Sequence, residues 1–282
     1  MSQNGSVNIC RSEKLYGECD KDMVLLEYNG LKISIDALKN SLIQVGIKSG
    51  DSIFVHSDIG VFGKLVLKDR NKLLSSFVKA MRETIGEEGN IIMPTFSYSF
   101  CKGEVFDVCN TKGTVGVLNE FFRKQDGVMR TIHPIFSSAV YGKDSEYLLD
   151  IDMDSFGNGS IFAKLHKLRG KIVFLGASFS STYLHYIEQS YGVPYRYMKT
   201  FRGKIKNIDK YYECESTFFV RDLNKNVILD TTRLEKYLLD NRLMNKVLLG
   251  NGTILMVEAD VLYNEVMKLL DKDIRFLLKS DR

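Results

Sequence analysis

Lys171-Ile-Val-Phe-Leu-Gly176-Ala-Ser-Phe-Ser-Ser-Thr-Tyr-Leu-His185-Tyr-Ile-Glu188 is the stretch that decides how this chain folds. Its opening, Lys171 to Gly176, is an apolar run closed by glycine, the pattern of a strand buried in the core of an α/β sheet. The continuation reads as a short helix opened by Ser181 or Thr182, both good N-cap residues. On that helix His185 and Glu188 stand three residues apart, so their polar atoms share one surface. An imidazole beside a carboxylate is what deprotonating a weak nucleophile requires. The same spacing also occurs on ordinary solvated helices, so the remainder of the chain has to decide between the two readings.

Outward from this segment, strand and helix patterns alternate. Ser34 can cap a helix running to about Val45, followed by Gly46. Ser52 to Ser57 reads as a strand. A helix starts at Asp69, carries Leu73, Leu74, Phe77, Val78 and Met81 at the helical period, and stops at Gly86. Asn90 to Met93 is the next strand, halted by Pro94. A helix over Val115–Lys124, a strand over Ser137–Tyr141 and a helix from Ser160 to Arg169 lead into the opening stretch. Beyond it come a strand at Thr217–Val220, a helix at Thr232–Asn241, a strand at Thr253–Val257 and a helix at Asp260–Leu270. This alternation predicts an α/β fold with a mixed, largely parallel central sheet flanked by helices. Residues 1–22 are polar and read as an N-terminal arm, leaving 23–282 as one domain.

Composition narrows the function classes. The 44% hydrophobic content of the 282 residues is enough to bury a sizeable core. No apolar run reaches the length of a membrane span, and the first residues lack the regions of a secretory signal. Five cysteines at 10, 19, 101, 109 and 214 form no Cys-x-x-Cys pair, which fits reduced thiols in a cytoplasmic protein. The net charge of +4 is modest and the basic residues are interspersed with acidic ones, unlike the dense stripe of a nucleic-acid protein. The excess favours an anionic small ligand over a polycation.

Ligands of open α/β sheets sit beyond the carboxyl ends of the strands. Three such ends carry unusual polar sequences: Val55-His56-Ser57-Asp58, Met93-Pro94-Thr95-Phe96-Ser97 and Leu175-Gly176-Ala177-Ser178. Together with Arg130-Thr-Ile-His-Pro134, Phe156-Gly-Asn-Gly-Ser160 and Thr182-Tyr-Leu-His-Tyr-Ile-Glu188, they occur in an order that resembles the aminoglycoside 3-N-acetyltransferase family. The resemblance covers about 31 to 270. It implies an α/β fold around a mixed sheet, acetyl-CoA or another acyl-CoA as cosubstrate, no metal, and acyl transfer to an amine. It further implies His185 as general base with carboxylate support. The loop Ser57-Asp58-Ile59-Gly60-Val61-Phe62 and the segment with Arg130 and His133 are then expected to line the coenzyme A site, with Gly176 nearby. Asp58 departs from the serine common in the family, and the usual Gly-Gly after the loop is replaced by Gly63-Lys-Leu-Val.

The residues themselves agree with that chemistry. An amine attacks only when unprotonated, and a neutral histidine near pH 7 suits its activation. Glu188 can orient the imidazole. Backbone amides of the 57–62 loop or the Ser97 hydroxyl are candidate oxyanion donors, and Arg130 is a candidate phosphate contact. His56 is a further catalytic candidate, although it alternates with Phe54 and reads equally as a core histidine. His133, fixed before Pro134, has a structural reading as well.

The segment Glu188 to Gly203 supplies aromatics and cations together, with Tyr195 able to stack on a sugar and Arg196, Lys199 or Arg202 able to meet phosphate. It resembles that of family members acylating amino sugars for surface glycans, so the acceptor expected is an amino sugar, nucleotide-linked, for glycan (lipopolysaccharide-type) biosynthesis. One alternative is an aminoglycoside antibiotic 3-N-acetyltransferase. Another is a metal-dependent hydrolase using His56, Asp58, His133, His185 and Glu188. A third, a non-catalytic relative, is opposed by the retention of both His185 and Glu188. Neither a nucleic-acid partner nor a membrane span is expected; a homo-oligomer stays open.

Overall fold

The central strands are buried on both faces, and their alternate residues build two cores, one on each side of a seven-stranded sheet. The computed structural model describes residues 22–279 except 224 and 226; the expected arm, apart from Asp22, lies outside the described residues. A small antiparallel edge is formed by β1 (Val24–Tyr28), β2 (Leu31–Ser34) and later β4 (Lys64–Leu65). Between them lie α1 (Ile35–Gln44), capped by Ser34 Oγ accepting from Ala37 N at 3.2 Å, and β3 (Ser52–Ser57). Then follow α2 (Arg70–Ile85), capped by Asp69 and closed by Gly86 at φ +66°, and β5 (Asn90–Pro94). β6 (Phe106–Asp107), α3 (Val117–Phe122), β7 (Met129–Arg130), β8 (Ser138–Gly142) and α4 (Ser145–Leu149) complete the first half. The second half comprises α5 (Ile161–Lys167), β9 (Lys171–Leu175), α6 (Tyr183–Tyr191), β10 (Arg196–Asn207) and β11 (Lys210–Arg221). The chain closes with α7 (Thr232–Asp240), β12 (Met244–Leu249), β13 (Gly252–Glu258) and α8 (Ala259–Lys272).

The main sheet has the order β12-β13-β9-β3-β5-β8-β7. β9, β3 and β5 are mutually parallel, and the outer neighbours β13 and β8 pair antiparallel. The mixed sheet is as expected, but its parallel part is confined to these three central strands. On β3, Phe54 joins one core and Ile53 and Val55 the other; on β9, Ile172 and Phe174 alternate with Val173 and Leu175 in the same way. Helices α1, α2 and α3 cover one face, while α5, α6, α7 and α8 contribute to the core of the other. Fully burying one such aliphatic or aromatic side chain is worth about 1.5–3 kcal/mol, so the central strands are the most costly part of the fold to disturb.

Beyond the main sheet, β10 and β11 form a twelve-residue hairpin that pairs through β10 with β6. No helix among the described residues is long and apolar enough to cross a membrane. Cys101 and Cys214 are free, whereas Cys109 is disulfide-bonded, so the expectation of five reduced thiols does not hold there. Spacing along the chain could not disclose a pairing made by the fold.

Candidate active site

α6 begins just past β9 and delivers His185 and Glu188 to the site. Its first turn is held by Ser181 Oγ, which accepts from Tyr183 N at 3.2 Å and stands 2.9 Å from His56 Nε2. The helix ends at Gly192, whose φ of +78° gives the left-handed conformation that reverses the chain. Gly192 N and Val193 N both donate to Glu188 O, at 3.0 and 3.2 Å. This tight turn returns the chain so that Tyr195 and Arg196 lie alongside the helix they follow.

A three-residue polar chain results. His185 Nδ1 lies 2.6 Å from Glu188 Oε2, and Arg196 Nε lies 2.8 Å from the same oxygen. Glu188 is wholly buried and the Arg196 side chain nearly so, whereas the His185 side chain keeps 21% of its exposure. Burial alone would raise the Glu188 carboxyl. The hydrogen bond and charge of His185, with Arg196 beside it, outweigh that and hold it below the usual carboxylate range. The neighbouring Tyr195 phenol is pushed up, by burial first and by Glu188 second, so it stays protonated. An ionised carboxylate at Nδ1 fixes the tautomer with its proton there and leaves Nε2 as the lone-pair nitrogen. The ring also meets Phe156 edge-on, with centroids 5.5 Å apart.

His185 and Arg196 line a cavity of about 390 Å³ whose walls are formed largely by the β10–β11 hairpin. Lys199, Phe201, Phe218 and Arg221 are among its other lining residues. Thus the structure gathers His185, Glu188, Tyr195, Arg196 and Lys199. Phe156 opens the Phe156-Gly-Asn-Gly-Ser160 motif, but nothing in the sequence places it beside His185, and only a pairing of β10 with β11 could point to Phe218 and Arg221.

Other sequence-derived candidates lie elsewhere. Arg202 is exposed and paired with Glu215 at 2.6 Å. Ser97 is buried against Ser99, with hydroxyls 2.9 Å apart. Arg130 is only 2% exposed and spends its donors on the Thr95, Val108 and Thr111 carbonyls and on the Thr95 and Ser137 hydroxyls. Burial foremost, then the charge of Arg123, pushes it down to about 9. This guanidinium ties strand ends together and is not open to a phosphate. His133 is also a structural residue: its Nδ1 accepts from Ile135 N and Phe136 N at 3.2 and 2.9 Å, and burial pushes it down to about 3. His56, stacked on Phe174 at 5.2 Å, is lowered to about 4 by burial and supports the start of α6 through Ser181.

The 57–62 loop forms a short 3₁₀ turn outside the cavity lining, with Asp58 accepting from Gly60 N at 3.3 Å. Ser57 Oγ donates to Asn119 Oδ1 at 2.7 Å. Asp58 and Gly60 are exposed, while Phe62 is buried. Gly176, at φ +76°, passes so close to this loop that a Cβ would sit 2.2 Å from Asp58 O. The donors invoked for a hydrolytic metal site do not converge, and no group of three or more histidine, cysteine or acidic residues among the described residues is placed to hold a metal.

A family model described as aminoglycoside 3-N-acetyltransferase matches residues 54–271. Aminoglycoside N(3)-acetyltransferase IV of Salmonella sp is 28% identical over 163 residues, 56% of this chain and 59% of that protein. The aminoglycoside N(3′)-acetyltransferase-like protein YokD of Bacillus subtilis (strain 168) is 27% identical over 186 residues, 57% of this chain and 65% of that protein. The chain therefore spans about three fifths of the length of these relatives. Among solved structures, aminoglycoside acetyltransferase AAC(3)-Xa superposes with a TM-score of 0.75 at 19% identity, covering 88% of this chain and 95% of that one. AAC-IIIb, solved as a binary complex with CoASH, gives 0.73 at 22%, covering 88% and 99%. These likenesses support the fold independently of close sequence identity. With the family model spanning well over half its length, the chain belongs to the aminoglycoside 3-N-acetyltransferase family.

Proposed function

We propose that the protein transfers an acetyl or related acyl group from an acyl-CoA to a primary amine, with His185 as general base. The observation that carries this reading is the Arg196–Glu188–His185 chain, which ends at a cavity. A buried carboxylate held ionised by His185 first, and by the buried Arg196 guanidinium beside it, stabilises an imidazolium formed next to it. His185 Nε2 accepts the proton that the amine loses as it attacks. Glu188 keeps Nδ1–H in place throughout, and Arg196 adds to the hold on its charge. The phenyl wall at Phe156 shields one side of the partly exposed ring from water.

Acyl-CoA, when bound, supplies an activated thioester carbonyl, so no acyl-enzyme is required. The cavity suits such a donor in its chemistry: Phe201 and Phe218 give apolar wall, and Lys199 and Arg221 give cationic groups. The 57–62 loop remains in the proposal as a second donor contact through its exposed Asp58–Gly60 turn.

The names of the relatives support an aminoglycoside as acceptor class ahead of the nucleotide-linked amino sugar expected from sequence. The amino-sugar reading is retained for one reason: the cavity lining contains cations and no carboxylate. Release of coenzyme A thiol from acetyl-CoA, measured across aminoglycosides and phosphorylated amino sugars, tests the proposal. Acceptor-dependent release is expected; its absence with both classes overturns amine acyl transfer to these acceptors.

A further inference from the structure

Two arginines face each other across the hairpin that walls the cavity. In the antiparallel register of β10 and β11, Arg196 pairs directly with Arg221, and both side chains line the cavity. Like charges directly opposite in a ladder are destabilising, so such a pair normally carries compensating carboxylates. Arg196 has its carboxylate in Glu188. Arg221 has none among the described residues; its guanidinium donates a long hydrogen bond to Val227 O at 3.4 Å. The acid next in sequence, Asp222, stands 3.5 Å from Lys225 and is not part of the lining.

Lys199 repeats the pattern. It lies opposite Phe218, with its ammonium 5.0 Å from the centroid of the Phe201 ring. Neither Lys199 nor Arg221 makes an ion pair among the described residues. Farther along the same strand the cations are matched: Arg202 with Glu215, Lys204 with Glu213 and Lys206 with Asp107. The β10 cations outside the cavity thus each have an acid, whereas of the three lining it Arg196 has Glu188 and Lys199 and Arg221 have no carboxylate among the described residues. That contrast distinguishes the cavity end from an ordinary solvated charged face.

We infer that Lys199 and Arg221 form an anion subsite at the cavity, taking a phosphate group of the substrate pair within reach of His185. The charge is recognised by one planar fork and one ammonium, a set suited to phosphate oxygens. Two sources supply that chemistry: the phosphates of the acyl-CoA donor, and a phosphate carried by the acceptor. The inference deepens the acyl-transfer reading, yet its test uses binding alone and so does not depend on turnover.

Calorimetry on wild type, Lys199→Gln and Arg221→Gln, both exposed positions, with four probes decides it: coenzyme A, pantetheine, glucosamine 6-phosphate and glucosamine. Loss of a charge-assisted hydrogen bond weakens binding by roughly 10- to 100-fold. If the donor fills the subsite, each substitution weakens coenzyme A by about that factor and leaves pantetheine unchanged. If the acceptor fills it, glucosamine 6-phosphate weakens while coenzyme A and glucosamine do not. Lys204→Gln, outside the cavity and paired with Glu213, leaves every probe unchanged. Unaltered affinity for both phosphorylated probes, or equal losses for the charged and uncharged member of a pair, overturns the inference. Intact anion binding in a protein that releases no thiol with any acceptor would instead count against acyl transfer alone.

Discussion

Arg196→Met removes a charge from the centre of the site while keeping most of the stem. In the native protein Arg196 Nε and His185 Nδ1 share Glu188 Oε2 at 2.8 and 2.6 Å, and the carboxylate has no exposure to water. Without the guanidinium, the carboxylate keeps His185 and the neighbouring Tyr195 phenol but no permanent cation, and removing one partner of a buried pair costs about 3–5 kcal/mol. Burial already acts to raise Glu188, so in the variant the carboxyl moves up from its depressed position. The sign follows. The wild-type carboxylate stabilises the fold above its unfolded pKa and loses that contribution as pH falls through the lower folded pKa. The variant's penalty applies to the ionised form, so it is largest near neutrality and shrinks on acidification. Urea unfolding of wild type, Arg196→Met, Glu188→Gln and the double variant gives the coupling directly. The expected result is a loss of about 3–5 kcal/mol for Arg196→Met, partly recovered when Glu188→Gln is added. A loss within about 0.5 kcal/mol, or strict additivity of the two changes, would refute the reasoning.

Two further outcomes follow from buried groups outside the cavity. His133, neutral in the fold and lowered to about 3, binds a proton only after unfolding over most of the acid range, so stability falls as pH drops below its unfolded value. Between neutrality and about pH 5 that contribution is roughly 2 kcal/mol, and His133→Asn, which keeps an acceptor for Ile135 N and Phe136 N, should flatten this part of a pH–stability profile; an unchanged profile counts against it. Gly176→Ala places a Cβ against the Asp58 carbonyl at φ +76° and should cost more than the ~1–2 kcal/mol of a left-handed residue alone, read as a lowered urea midpoint; a neutral effect would show that the loop yields.

What was legible in the sequence was what is local. The caps at Ser34, Asp69 and Ser160, the buried strands β3, β5 and β9, and the His185–Glu188 spacing all follow from short-range pattern. The β10–β11 hairpin carries little alternation in the sequence, because half of its residues are exposed and only Ile205, Asn207, Ser216 and Phe219 are buried. Its two-residue connection, Ile208-Asp209, lacks the asparagine or glycine that marks tight hairpins, although Ile208 adopts φ +56°. The edge strand β12 is similarly half exposed. Arg130 misled for another reason. An arginine in a polar loop reads as surface, and only the fold brings the Thr95, Val108 and Thr111 carbonyls around it. Arg196 reads in the sequence as a phosphate contact, whereas the Gly192 reversal turns it back onto Glu188, and its cross-strand neighbour Arg221 has no such carboxylate among the described residues.

The most direct test of the central claim is the turnover of His185→Asn, followed as thiol release from acetyl-CoA with an acceptor that wild type uses. The variant loses the Nε2 base but not the buried Glu188–Arg196 pair, so it should fold and bind acetyl-CoA as wild type does. Turnover should fall by roughly 10²–10⁴-fold, the usual worth of general acid–base catalysis, and recover in part between about pH 6 and 9 as the acceptor amine deprotonates in solution. Near-wild-type turnover by the folded variant, with a pH profile unchanged from that of wild type, would contradict the assignment of His185 as the base.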